Sequence, residues 1–344
     1  MQPDSVEPSS VEPSSVEPSS VETSPRASLT VDLDSLRCYR DIHGLDQSGS
    51  DTADAAYTIG VRRLIDFFEA ASVPATLFVV GKDAEHPAHA ELLREATGKG
   101  FELGNHTYSH FYDLPERPAQ VQRDEISRGE DAIEAAGGTR PVGYRAPGYN
   151  IAPNILEIVR SRGYLYDSSV FPCPPYYFAK GAIMAWQRLR SRPSRSAMTP
   201  IANLLAPIGP YRPAADQLWK HDPDSEMPVE IPMCLVPGVR FPVIGTSLHL
   251  MGQGGFDAVF PLLRGAYKRI FQLEFHAIDF MDADDLIPSD PSSAALIAAQ
   301  PDLRIPWPQK RALYAHVIAR LRETYRFATL EDAVLFHVKH SQIC

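Results

Sequence analysis

The chain has 344 residues, 44% hydrophobic and 22% charged, which supplies ample apolar material for a core and a length that α/β barrels reach as one domain. A formal net charge of −10 argues against nucleic acid as a partner, because phosphate binding needs a basic surface. No apolar run is long enough to cross a bilayer.

The N-terminus repeats Ser5-Val6-Glu7-Pro8-Ser9 with a five-residue period through Glu22. Such a repeat cannot bury enough apolar surface to offset its ordering entropy, so residues 1–27 are predicted to be a disordered tail. The tail has neither the basic start nor the apolar segment of a secretory signal, and a cytoplasmic protein is expected. Cys38, Cys173, Cys234 and Cys344 lie far apart, so free thiols are expected, with Cys38 packed close to a pair of carboxylates.

Residues 29–33 read as the first strand and 57–71 as a helix, with Ile59, Leu64, Ile65, Phe67 and Phe68 at helical spacing. Residues 75–81 read as a buried strand, 89–98 as a helix with a glycine end, and 101–105 as a third strand. The alternation continues with a helix at 121–136, a strand at 141–144, a helix at 154–162 and a strand at 164–167. A helix near 257–269, a strand at 271–276, a helix near 307–324, a stretch at 326–329 and a short last helix complete it. This rhythm predicts a parallel sheet closed into a distorted (β/α) barrel. From 173 to about 250 the rhythm breaks into a proline-rich, aromatic, irregular insertion, read equally as a binding cap or a packed structural element. Arg188, Arg190, Arg192 and Arg195 lie within it, either as contacts for anionic groups or as a solvated basic face.

Two segments stand out chemically. Leu29-Thr30-Val31-Asp32-Leu33-Asp34 closes an apolar run on two carboxylates two residues apart, which a strand would aim from one face. Gly104-Asn105-His106-Thr107-Tyr108-Ser109-His110 carries two imidazoles four apart, the spacing that stacks them on one side of a helical turn. Each has a bland reading, as a turn-capping acid pair or as surface histidines. Together, each follows an apolar strand, where parallel α/β folds place their chemistry. Two histidines and a carboxylate form a common catalytic zinc set, which leaves the other carboxylate free as a base.

These segments resemble the polysaccharide deacetylase family, the NodB-homology hydrolases of carbohydrate esterase family four, over about residues 29–336. Five motifs occur in the family's order: Thr30-Val31-Asp32-Leu33-Asp34, His106-Thr107-Tyr108-Ser109-His110, Gly143-Tyr144-Arg145-Ala146-Pro147-Gly148-Tyr149, Tyr166-Asp167-Ser168-Ser169 and Leu273-Glu274-Phe275-His276. Because Leu33 separates the aspartates, the chain resembles the Asp-x-Asp/Glu branch, which includes cytoplasmic-type peptidoglycan deacetylase homologues and aminoarabinose-lipid deformylases. The fourth motif lacks the tryptophan common in chitin-type enzymes. The resemblance implies a NodB-type barrel over residues 28–338 and a divalent metal, with zinc the leading choice, on Asp34, His106 and His110. It further implies Asp32 as the general base towards metal-bound water, Arg145 as its partner, and His276 as the general acid. A backbone N–H near Gly148 or Tyr149 would hold the oxyanion, and Asp167 would tune His276 through a hydrogen bond. Asp279 is read as structural. The implied reaction removes an N-acyl group, with acetyl the first choice, from an amino-sugar glycan or a lipid-linked sugar. Deformylation, hydrolysis of a small amide, and a catalytically silent carbohydrate-binding homologue are the alternatives.

Overall fold

Along Ser28-Leu29-Thr30-Val31-Asp32-Leu33 polar and apolar residues alternate, the pattern of a strand whose two faces meet different surroundings. In the computed structural model, which describes residues 24–45, 54–189, 197–286 and 291–341, strand β1 (Arg26–Leu33) is buried on both faces. Ala27, Leu29, Val31 and Leu33 join the main hydrophobic core with the flanking helices. Ser28, Thr30 and Asp32 are as deeply buried, but bond across the concave side of the sheet. Arg26 and Ala27 belong to this strand, so the predicted tail of 1–27 ends earlier, and residues 1–23 lie outside the described residues.

Strands β2 (Ala75–Val79), β3 (Glu102–Asn105), β4 (Gly143–Tyr144), β5 (Tyr166–Asp167) and β6 (Val229–Glu230) extend from β1 in parallel. A hairpin of β7 (Leu235–Val236) and β8 (Phe241–Pro242) follows. Strands β9 (Ile270–His276) and β10 (Arg326–Phe327) both pair with β1, again in parallel. The result is a curled, mostly parallel sheet wrapped by helices, the distorted barrel that was predicted. The register puts Asp32 beside His276, Asn105 beside Tyr144, and Tyr144 beside Asp167. The C-termini of the parallel strands therefore share one rim, and residues ending those strands or just beyond them converge there.

Proline placement explains several helices. Pro87 opens α3 (Pro87–Gly98) and Pro153 opens α5 (Pro153–Ser161), positions where the missing N–H costs nothing and the fixed φ suits a helix. Preceding them, α1 (Leu36–His43) ends on Gly44 at φ 62°, and α2 (Arg62–Ala70) follows a turn of π-helix at Ala56–Val61. Between α3 and α5, α4 (Ala119–Gly137) ends on Gly138 at φ 78°, a left-handed cap that glycine adopts without steric cost.

The same proline logic corrects the reading of 173–250 as irregular. Pro174-Pro175 opens the sixteen-residue helix α6 (Pro174–Leu189). Later in the stretch Val229–Glu230 adds a strand to the main sheet, and α7 (Gly245–Ala266) begins inside it, bent at Gly252. Arg190, Arg192 and Arg195 lie outside the described residues. Helices α8 (Pro291–Ala299), α9 (Trp307–Arg322) and α10 (Leu330–Ser341) complete the chain. Around β9, Phe275 meets Tyr314 at 4.9 Å between ring centroids and Phe280 at 5.7 Å, which anchors the strand that carries His276.

Candidate active site

At the rim, Asp34 Oδ1 lies 3.0 Å from His110 Nε2 and 3.6 Å from His106 Nε2, and the two Nε2 atoms are 3.2 Å apart. All three side chains are at least 95% buried. His106 directs Nδ1 at the Arg145 carbonyl, 2.8 Å away, and that carbonyl can only accept. A neutral His106 therefore turns its Nε2 lone pair towards the Asp34 carboxylate, whose Oδ1 has no hydrogen-bond donor. Converging buried acceptors call for a cation between them, and two imidazoles with one carboxylate are the donor set that suits a divalent metal. The residues fit the metal implied by the sequence. Burial pushes the His106 pKa down to about 4, which favours the neutral form that a metal ligand needs.

The two histidines do not share a helical turn as their spacing predicts. They sit on a loop directly after β3, with Thr107 and His110 both at φ 64°. Asn105 enforces this path: its Oδ1 accepts from Thr107 N at 2.8 Å, while its Nδ2 donates to the Ile126 carbonyl and to Tyr164 Oη. Ser109 N donates to Glu125 Oε2, and His110 N to Thr107 Oγ1. These bonds compete successfully with a helix and hold two non-glycine residues in a left-handed conformation, at a cost on the order of 1–3 kcal/mol each. Cys38, on α1, is buried against His110.

Beside this cluster, Arg145 is wholly buried and donates from Nη1 to Asp32 Oδ1 at 2.5 Å. Its other donors reach Thr30 Oγ1, Ser168 Oγ and the Ser168 carbonyl, and its guanidinium lies 4.0 Å above the Phe78 ring. With Oδ1 occupied by the guanidinium, Asp32 Oδ2 is the oxygen turned to His106, at 3.8 Å.

Two expected contacts are different. Asp167 does not reach His276; its Oδ1 accepts from Ser169 Oγ, which in turn accepts from Ala146 N, so Asp167 braces the loop after Arg145. Burial raises the Asp167 pKa to about 6. The carboxylate at His276 is instead Glu274, with Oε1 at 2.9 Å from Nδ1. The N–H of Tyr149 is already given to the Ala146 carbonyl at 3.0 Å, which leaves Gly148, at φ 59°, as the backbone donor of the expected pair. Asp279 accepts from His276 N at 2.8 Å and caps the turn after β9, as read.

A cavity of about 490 Å³ lies over the cluster, and Asp32, Asp34, His106, Gly148, Tyr149 and His276 all line it. Helix α6 supplies one wall through Tyr176, Lys180, Ile183 and Met184, and Ile244 and Leu250 face it. A family model described as polysaccharide deacetylase matches residues 50–166, the span that carries His106, His110 and Arg145. Over that third of its length the chain is similar to the polysaccharide deacetylase family.

Asp32, Asp34 and His276 lie outside that matched span, and the parallel sheet brings them to it. A Helicobacter pylori peptidoglycan deacetylase is 27% identical over 163 residues, 46% of this chain and 54% of the relative. A peptidoglycan deacetylase-like protein of Gibberella zeae is 30% identical over 115 residues, 33% of each. The chain thus matches about half the length of the first relative and a third of the second. A solved polysaccharide deacetylase structure from Mycobacterium smegmatis shares the fold over 97% of this chain and 96% of its own, at 21% identity and a TM-score of 0.57. The sequence reading passed over Glu274, although its two-residue spacing from His276 on a strand puts both on one face. It also passed over Tyr112, which meets the His110 ring edge-on at 4.7 Å. No signal in the sequence marks Tyr112, because its contact arises from the path of the loop.

Proposed function

We propose that the protein hydrolyses an N-acyl amide, acetyl first among the candidates, on an amino-sugar-containing substrate. The observation that carries this reading is the meeting of Asp34, His106 and His110 with the Arg145-paired Asp32 and with His276 on one cavity. A divalent cation held by Asp34, His106 and His110 would act as a Lewis acid towards the acyl oxygen and lower the pKa of water. Asp32 Oδ2 then takes the proton of the attacking water, while Arg145 fixes the carboxylate through Oδ1. Water adds to the acyl carbon, the C–N bond breaks, and the products are a carboxylic acid and an amine. His276 is oriented by Glu274 on Nδ1, so Nε2 is the atom that delivers a proton to the departing nitrogen. Similarity to a peptidoglycan deacetylase supports an N-acetylated sugar as the acyl bearer.

The test pairs elemental analysis with acetate release from N-acetylated glucosamine oligomers. Wild type is expected to hold about one divalent metal per chain, and Asp34→Ala and His106→Ala none, with acetate release falling by about 10³-fold or more. Formate but no acetate from the matching substrates would redirect the reading to a deformylase. A wild-type chain that binds no divalent metal under any loading condition would overturn it.

A further inference from the structure

Helix α6 (Pro174–Leu189) turns one face to the cavity, through Tyr176, Ala179, Lys180, Ile183 and Met184 at intervals of three and four. Its other side does not become polar. Phe178 is 64% exposed, Trp186 52% and Leu189 85%, with Ala182 and Ala185 between them. A helix apolar on nearly every side is normally buried on every side. The feature extends beyond α6: of the ten exposed large hydrophobic side chains among the described residues, eight fall between 178 and 250. They include Ile201, Leu205 and Val239, while Ile183 and Leu250 also line the cavity and so stand at its mouth.

Charge singles out the first part of that stretch. From Ser168 to Ala215 the sequence contains no Asp or Glu, although the chain has 43 of them. Within it lie Lys180, Arg188, Arg190, Arg192, Arg195 and Arg212, of which Arg190, Arg192 and Arg195 fall outside the described residues and enter only as charge. In a chain of net charge −10, residues 168–215, which carry six of those eight exposed side chains, are therefore strongly positive.

We propose that this face docks on an anionic lipid bilayer, with α6 lying in the interface and the cavity mouth turned towards it. Large apolar side chains beside a basic run are the composition of interfacial helices, which insert apolar groups at the headgroup boundary while cations meet anionic lipid. Among the described residues no helix is long and apolar enough to span a membrane, so the contact is peripheral. A twofold pairing of two copies through this face would bring the like charge of the acid-free segment together. Nucleic acid would neutralise the charge but leave the exposed Phe, Trp and Leu side chains without apolar partners. The proposal stands apart from the hydrolase reading, because docking needs no turnover.

The test is co-sedimentation of the full chain with vesicles of phosphatidylcholine alone and of phosphatidylcholine mixed with phosphatidylglycerol. Binding is expected to be at least about tenfold tighter on the anionic vesicles and to weaken with salt. The double variant F178S/L189S, at exposed positions outside the cavity lining, should bind at least about tenfold more weakly while its thermal unfolding is unchanged. Trp186 fluorescence should be quenched by brominated lipid, and W186F should lose that quenching. No vesicle binding, equal binding to both compositions, or a double variant that binds like wild type would overturn the proposal. So would a wild-type dimer that F178S/L189S converts to monomer, which would assign the face to a second copy of the chain.

Discussion

Asp32 and Tyr176 both line the cavity, but they are held there by different means. Asp32 ends a strand paired on both sides, and its carboxylate is fixed by a guanidinium with four donors placed. Tyr176 stands on α6, where its neighbours are the Tyr149 and Phe171 rings at 5.9 and 4.8 Å, and its helix turns an apolar side to solvent. The floor of the site is thus polar and strand-borne, with Asp32 held by hydrogen bonds, whereas the wall is mostly apolar, helix-borne and held mainly by packing, with Lys180 donating to the Gly148 carbonyl. Hydrogen-bonded charges on paired strands give the placement that chemistry at one atom needs. An apolar wall tolerates variation in shape, which suits recognition of whatever carries the reacting group.

If the floor is as constrained as this contrast implies, breaking it should cost most. Arg145→Ala leaves the Asp32 carboxylate, 2% exposed, without its guanidinium. Removing one partner of a buried ion pair destabilises by about 3–5 kcal/mol. Urea unfolding should show that loss in the midpoint, and Arg145→Lys should recover only part of it because lysine cannot reproduce the forked contacts with Asp32, Thr30 and Ser168. A loss under about 1 kcal/mol would mean that water reaches Asp32 and that the floor is less closed than described.

How much of this contrast could be read from the sequence follows from the same difference. Period-two spacing on β1 and the paired imidazoles after β3 made Asp32, Asp34, His106 and His110 visible, because strand geometry and residue chemistry are local, whereas Arg145 and His276 stood out only through the resemblance of their motifs to the deacetylase family. The partner of His276 was misassigned to Asp167, since choosing between two carboxylates requires the register Thr30–Glu274 and Asp32–His276. The loop at His106–His110 was read as helical because the side-chain bonds of Asn105 and Thr107 that override the spacing reach across the fold or follow a left-handed turn. Helix α6 was missed altogether. Its prolines looked like breakers, and its apolar residues on both sides of the helix gave no clean 3.6-residue stripe.

Beneath the rim, the floor extends to Glu102, which is buried and accepts from Thr76 Oγ1, Tyr166 Oη and Glu331 N. Burial raises its pKa to about 6 from the ordinary 4.5, despite these donors. An acid whose pKa is higher in the folded chain adds stability below the unfolded value, and that stability is lost as pH rises through the folded one. The window is therefore about pH 4.5 to 6, and the change about 2 kcal/mol. Glu102→Gln cannot titrate, so its stability should fall by about 2 kcal/mol less than that of wild type between pH 4 and 7, as measured by urea midpoints. Parallel curves for the two proteins would show that Glu102 keeps its ordinary pKa and that this part of the floor is solvated.

The wall should respond least, and in a different parameter. Ile183 lines the cavity mouth and is 56% exposed, so a bound substrate can remove only part of its surface from water. Truncation in Ile183→Ala then forfeits about 1 kcal/mol of contact, at roughly 25 cal/mol per Å². That corresponds to a KM rise of about fivefold, with kcat held, because the contact is made equally in the ground state and the transition state. Unfolding should barely change, since a half-exposed side chain leaves no sealed cavity behind. The split between KM and kcat is the informative quantity. A fall in kcat with KM unchanged would place Ile183 in the positioning of the reacting amide, and the division into a chemical floor and a recognising wall would then fail at the residue where the two regions meet.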